Sequence, residues 1–308
     1  GVTVGLVVAF IDYLGRIFVP IRELSGQIAT LQRSFAALDK IFAILDTDER
    51  IAEAPAAEHV QPAQVQGAVR FDQVSFRYRG DGPDVLSDIS IDVAPGEVVA
   101  LVGATGSGKS TVGKLLLRMY DGYRGTIAID GHDIRRFPLA TLHELVTVVH
   151  QDGWLLEATL AENIRLGDPR IDDATIIEAG RLAQADAFVE RLPDGWNTMC
   201  RERGANMSVG ERQLIAITRA FARKAPIVIL DEATASIDAM TEKRLDAAIE
   251  NLFRTRTVIV IAHRLQTIQS ADRIVVLDRG RIVEQGDHAA LMAAGGRYRT
   301  LVETGFAL

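Results

Sequence analysis

Residues Glu97–Met119 read EVVALVGATGSGKSTVGKLLLRM, and the order of residue types in that run decides the fold. An apolar strand, Glu97–Val102, leads without a break into a glycine-rich loop, Gly103–Ser110, and Lys109–Met119 follows as a helix. The loop matches G-x-x-x-x-G-K-S/T in the context that gives the motif its mechanism, after a strand and before a helix. Gly103, Gly106 and Gly108, with Ala104, Thr105 and Ser107 between them, let successive backbone N–H groups converge on phosphate oxygens. The helix N-terminus adds a favourable dipole. Lys109 is expected to reach β- and γ-phosphates, Ser110 to ligate Mg2+ through its hydroxyl, and Thr111 to add a contact to the α-phosphate. A glycine-rich turn that binds nothing is the alternative, and the flanking strand and helix count against it.

Working outward, Val69, Phe71, Val74, Phe76 and Tyr78 largely alternate and predict an antiparallel strand. A second strand is predicted over Val85–Val93, closed by a Pro95-Gly96 turn. Strands at Val146–His150, Ile227–Asp231, Thr257–Ala262 and Arg273–Leu277 alternate with helical stretches, which implies a parallel α/β core. Leu156–Phe221 is mostly helical in pattern, so a helical subdomain at about 156–222 interrupts that core. The expected fold class is α/β: a P-loop NTPase core, a mixed sheet flanked by helices, with an antiparallel β subdomain and an inserted α-helical subdomain. The strand Ile227–Asp231 ends in two acids, Asp231 and Glu232. A buried strand of this kind delivers Asp231 to the metal and leaves Glu232 to polarise an attacking water. Such an ending is common by itself; the phosphate loop upstream gives this one its meaning.

A long N-terminal helix precedes the core. Gly1–Pro20 is apolar apart from Asp12 and Arg16. About 20 apolar residues cross a bilayer, and an Asp in mid-segment is costly there. The segment is therefore read as the cytoplasmic half of a transmembrane helix that continues out of the lipid; a buried helix of a soluble domain is the alternative. Helical spacing continues through Leu24, Ile28, Leu31, Phe35, Leu38, Ile41 and Phe42, so residues 1–45 read as helix and cytoplasmic stalk. Residues 46–67, rich in Ala, Pro, Glu and Gln, read as a linker, and 68–308 as the main domain. The chain has no initiator Met and no secretory signal pattern, and is read as a fragment that starts inside a longer protein. Its net charge of −7 argues against nucleic acid as a partner. The single cysteine, Cys200, rules out an internal disulfide and fits a reducing compartment.

Met207–Gln213, MSVGERQ, resembles the Leu-Ser-Gly-Gly-Gln signature of ATP-binding cassette (ABC) proteins, placed before a helix and upstream of the Asp-Glu strand. Other features follow that family's order: Tyr78 resembles its adenine-stacking aromatic residue, Gln151 its glutamine loop, and Glu202-Arg203-Gly204 the acidic motif ahead of the exporter signature. Ala235–Asp238 resembles the D-loop, His263 the switch histidine, and Gly286–Leu291 the usual C-terminal stretch. The resemblance covers about Ala68 to the end. Gln32, Arg33 and Phe35 on the long helix look like the last transmembrane helix of an exporter half-transporter.

The resemblance implies ATP and Mg2+ as ligands, and ATP hydrolysis coupled to transport across the cell (inner or plasma) membrane with the cassette on the cytoplasmic side. Two cassettes close head to tail around two ATPs. One subunit supplies the phosphate loop, Asp231, Glu232, Gln151 and His263; the other supplies its signature, here Ser208, Gly210 and Glu211. Glu232 becomes the general base, His263 contacts the γ-phosphate, and Asp238 faces the partner. Ser110, Gln151 and Asp231 surround the metal, and Gln151 couples it to the membrane helices.

The signature departs from the family at two positions: Val209 replaces a glycine and Glu211 a glutamine. A β-branched side chain restricts the backbone, and a carboxylate near the γ-phosphate repels it, with Arg212 a partial offset. The half-site this chain donates is therefore expected to be weakened while its own phosphate-loop half-site stays competent. That asymmetry fits a heterodimer with a different half-transporter; a homodimer that tolerates both replacements is the alternative. A soluble cassette ATPase of DNA repair would carry coiled-coil or zinc insertions, and a phosphate-loop kinase or GTPase would lack the signature. The cargo is chosen by transmembrane helices, so lipids, drugs, peptides and siderophore-like molecules all stay open.

Overall fold

Pro20 lacks a backbone donor, yet it does not end the first helix, α1 (Val4–Asp46), which runs through it as one element. The structure, a computed structural model, describes residues 3–47, 51, 64–150, 153–231, 238–262 and 264–305. It divides into two units, Gly1–Ile51 and Ala52–Leu308. In the first, the apolar side chains of α1, among them Leu6, Phe10, Ile17 and Phe18, are exposed, and the helix is long and apolar enough to cross a membrane. Its 43 residues span about 65 Å at about 1.5 Å per residue, roughly twice a bilayer's hydrocarbon core. Asp12 and Arg16, one turn apart within the apolar stretch, pair with each other at 2.9 Å.

The second unit opens with β1 (Val69–Phe76), β2 (Leu86–Val93) and β3 (Val98–Val102), then α2 (Lys109–Leu116). A hairpin, β4 (Arg124–Ile129) and β5 (His132–Asp133), leads to α3 (Leu139–Leu145) and β6 (Val146–Val149). Four helices follow: α4 (Leu160–Arg165), α5 (Asp173–Leu182), α6 (Asp186–Val189) and α7 (Val209–Arg223). The chain then alternates through β7 (Ile227–Asp231), α8 (Ala239–Phe253), β8 (Thr257–Ile261), α9 (Leu265–Gln269) and β9 (Arg273–Asp278). It closes with β10 (Arg281–Gly286), α10 (His288–Ala294) and α11 (Arg297–Glu303).

Two sheets result, one antiparallel in the order β2-β1-β4-β5 and one in the order β10-β9-β3-β8-β7-β6, parallel except for β10. The parallel sheet is covered on both faces, so its strands are apolar on both. Val98, Ala100, Val228, Leu230, Val258 and Val260 face a core with α4, α5, α7 and α8. Their neighbours Val99, Leu101, Ile229 and Ile259 face a second core, in which α2 lies against the antiparallel sheet.

The structure departs from the sequence reading in several places. β1 stops at Phe76, short of Tyr78; next to it the Arg77 side chain bonds Asp84 at 2.8 Å and Gly80 O at 3.3 Å. The three-residue step from Phe71 to Val74 is a bulge, with Gln73 at φ 50. α2 ends at Leu116 instead of Met119, since Arg118 turns left-handed at φ 52. The unforeseen strands β4, β5 and β10 belong to two hairpins. Their two-residue turns, Asp130-Gly131 (φ 48 and 83) and Arg279-Gly280 (φ 46 and 76), have the positive φ pair of a type I′ turn.

The turn before β3 is tied to β9 by Glu97, whose carboxylate accepts from Arg273 Nε at 2.8 Å and from Ala94 N–H at 2.7 Å. Burial opposes its ionisation, but those two hydrogen bonds and the Arg273 charge outweigh it and hold the carboxyl below its ordinary 4.5. A depressed folded-state pKa contributes stability above the unfolded value and loses it as pH falls through the folded one. Glu97→Gln should therefore lower the urea midpoint at pH 7 and flatten its decline below about pH 4.5. Parallel midpoint-versus-pH curves for the two proteins would refute this.

Candidate functional site

Strand register brings the candidate residues to one edge. Leu101 lies beside Ile261 and Val275, and Ile261 lies beside Asp231. Leu101, Ile261 and Asp231 are thus level across three strands about 4.8 Å apart. The loop leaving β3 and the acid ending β7 therefore meet at the C-terminal edge, where open α/β sheets bind ligands.

The loop between β3 and α2 is held by close packing that only glycine permits. Gly103 has φ +152, and a Cβ there would lie 2.1 Å from Leu277 O and 2.7 Å from Ser107 Oγ. Gly108, at φ +108, would place a Cβ 2.5 Å from Leu86 Cδ2. The floor is β9 and its turn: the Gly280 N–H donates to Ser107 O at 3.0 Å, and the Ser87 N–H donates to Gly280 O at 2.8 Å. Within the loop the Ser107 N–H donates to Ala104 O at 3.1 Å, and the Thr111 N–H donates to Gly108 O at 3.0 Å. Thr105, Gly106 and Ser110 form the exposed rim.

Lys109 is buried, and its Nζ donates to Gly103 O at 2.7 Å and Ala104 O at 3.1 Å. Burial pulls its ammonium below the ordinary range, and the charge of Asp231 partly restores it. The Ser107 hydroxyl is buried with no hydrogen-bond partner among the described residues. A cradle closed to side chains, a buried ammonium and an orphaned hydroxyl fit a phosphate chain with many acceptor oxygens. The Ser110 hydroxyl and Asp231 carboxylate are hard oxygen donors of the kind Mg2+ takes.

Tyr78 joins this cluster through a 3.0 Å hydrogen bond between its hydroxyl and that of Thr111. Ser208, Gly210 and Glu211 do not join it: among the described residues they share no hydrogen bond with the loop. They form the N-terminus of α7, where Ser208 is the N-cap. Its Oγ accepts from the Glu211 N–H at 3.2 Å, and Glu211 Oε2 accepts from the Ser208 N–H at 2.8 Å, a complete capping box. Val209, exposed, is the first residue of the helix. Asp238 caps α8, accepting from the Met240 and Thr241 N–H groups at 3.2 and 3.0 Å. Gln151, Glu232, His263 and the 235–237 part of the D-loop motif lie outside the described residues.

Several supporting residues escaped the sequence reading. Leu277 and Gly280 brace the loop through backbone atoms, and the glycine that follows strand β9 is the one sequence feature that could have marked the turn there. Arg219 on α7 donates to Trp154 O at 2.7 Å, Asn163 O at 2.7 Å and Asn163 Oδ1 at 3.0 Å, tying α7 to the segment after Gln151. Gly153, at φ +50, lies so close to α7 that a Cβ would meet the Arg212 backbone at 2.7 Å.

Residues 86–235, from β2 through the signature and the Asp-Glu strand, match the family model described as ABC transporter. That segment is an ABC transporter domain. It is 46% identical over 97% of its length to an ATP-dependent lipid A-core flippase of Thiobacillus denitrificans, covering 51% of that protein. It is 42% identical over 96% of its length to a fatty acid ABC transporter ATP-binding/permease protein of Mycobacterium bovis, covering 46%. It is similar to a solved bacterial Atm1-family ABC exporter with ATP bound, at TM-score 0.78 and 36% identity, over 99% of this chain and 53% of that one. The chain thus spans about half the length of the curated relatives it matches.

In this ABC cassette Gly103→Ala must push the loop off β9 or strain it, and nucleotide affinity should fall about tenfold or more. Wild-type affinity by isothermal titration would refute the close-packing account. At α7, Ser208→Ala should cost about 1 kcal/mol of stability. Glu211→Gln should keep more of the box than Glu211→Ala; equal thermal unfolding of those two would show that the carboxylate bond adds nothing.

Proposed function

We propose that the chain is the ATP-binding and hydrolysing cassette of an ABC exporter, and that a cassette dimer couples hydrolysis to translocation of a substrate across a membrane. The observation that carries this reading is the glycine cradle around Lys109, which leaves a strand whose Leu101 is level with Asp231 on the same sheet edge. Gly103–Ser110 and Thr111 bind the phosphates and Tyr78 the base, while Ser110, Asp231 and Gln151 hold Mg2+. Glu232 is the general base and His263 a γ-phosphate contact. Residues 1–45 are the end of the last transmembrane helix and its stalk, 46–67 the linker, and 68–308 the cassette with its helical subdomain at about 156–222. The cassette faces the cytoplasm. The relatives named for lipid A-core and fatty acids make an amphipathic lipid the cargo class to assay first.

The partner is a second half-transporter, and Val209 and Glu211 favour a different chain over a second copy. The Glu211 carboxylate sits at the α7 N-terminus, where the family presents its signature to the partner's γ-phosphate, and there it adds negative charge. Purified alone with its membrane domain, the chain should turn ATP over poorly and recover when the second subunit is added; full turnover and transport alone would reject the heterodimer.

For the chemistry, Glu232→Gln should bind ATP within about twofold of wild type and lose turnover by about 100-fold or more, as expected on removing a general base. Unchanged turnover would reject Glu232 as the base.

A further inference from the structure

Tyr78 is held by residues outside the phosphate loop. Phe76 and Tyr120 both meet its ring edge to face, with centroids 5.0 Å away and interplanar angles of 80° and 84°, and stand 5.8 Å from each other. Lys114 Nζ lies 6.0 Å from the Tyr78 ring centroid. Phe76 is buried, whereas Tyr78 and Tyr120 are both exposed. The open side of the cluster is therefore a two-ring surface, with Tyr120 as a wall beside Tyr78.

Tyr120 is itself fixed. The turn that carries it leaves the end of α2 and is locked by Arg118, left-handed at φ 52 and buried. The Arg118 guanidinium donates to both Asp121 carboxylate oxygens, at 3.2 and 3.3 Å, and to Phe137 O at 3.3 Å. Because α2 begins at Lys109, the phosphate loop and Tyr120 are attached to opposite ends of one short helix.

We propose that Tyr120 is a positioning residue for base recognition, holding the Tyr78 ring in the orientation that stacks the nucleobase. The inference rests on the reading of Tyr78 and Gly103–Thr111 as a nucleotide site. An exposed tyrosine ring loses rotational freedom when a base stacks on it; one already wedged against a second ring has lost that freedom on folding, so binding is tighter. The Tyr78 to Thr111 hydroxyl bond ties the same ring to the first turn of α2. Tyr120 touches Tyr78 and makes no hydrogen bond to the loop among the described residues, so its removal should be felt by ligands that carry a base and not by ligands that lack one.

The test uses the full chain in lipid nanodiscs and isothermal titration with two probes: MgATP, and magnesium tripolyphosphate, which has the phosphates and no base. Tyr120→Ala is expected to weaken MgATP about 2- to 12-fold, the range of an aromatic pair, and to leave tripolyphosphate unchanged. Tyr120→Phe, which keeps the ring, should bind both probes as wild type does. Equal loss for both probes means that the substitution disturbs the loop, and no loss for either means that Tyr120 does not act on Tyr78; each overturns the proposal, as does a Phe variant that behaves like Ala. Tyr78→Ala separates this from the underlying reading. If it leaves the preference for ATP over tripolyphosphate intact, no base stacks on Tyr78; if it abolishes the preference while Tyr120→Ala does not, only the positioning role fails.

Discussion

Parallel pairing of β7, β8 and β3 in a single register is the constraint on which the site depends. Asp231, Ile261 and Leu101 are level, so backbone pairing brings the loop after β3 and the acid at the end of β7 to one edge. Register is enforced by burial on both faces. A one-residue slip of β7 would send Val228 and Leu230 into the core that holds Ile227 and Ile229, and the reverse. The two apolar cores therefore oppose any one-residue slip that would displace the polar edge.

On that edge the loop is wedged. β9 approaches Gly103 from one side, Leu86 of β2 approaches Gly108 from the other, and the Arg279-Gly280 turn carries hydrogen bonds to both the loop and β2. The antiparallel sheet thus acts as a second buttress of the loop, beyond covering the core. Lys109 has its ammonium already inside this frame, resting on loop carbonyls it must exchange for a ligand's oxygens. The backbone frame is thus preformed, and the reorganisation left for binding is that exchange at the ammonium.

The parts legible in the sequence were those whose chemistry repeats locally. β3, β7, β8 and β9 are buried on both faces and read as unbroken apolar runs; the phosphate loop reads from its glycines and lysine. β10 was not legible as a strand because it is an edge, with Arg281, Glu284 and Gln285 interrupting its apolar residues. β4 was hidden by its short apolar run, although Asp130-Gly131 is a standard hairpin signal. The bracing by Leu277 and Gly280 runs through backbone atoms that no side-chain pattern reports. At 208–211, S-x-x-E spells a capping box as plainly as it spells an altered signature, and only the structure makes the first meaning explicit.

That box changes how the start of α7 meets an anion. The Ser208 N–H, which an arriving oxygen would seek at a helix N-terminus, is already taken by Glu211 Oε2. The helix carries its own tethered competitor, and a tethered group acts at an effective concentration that dilution cannot lower. Any phosphate reaching for that amide must first win a ligand exchange against a carboxylate that never leaves.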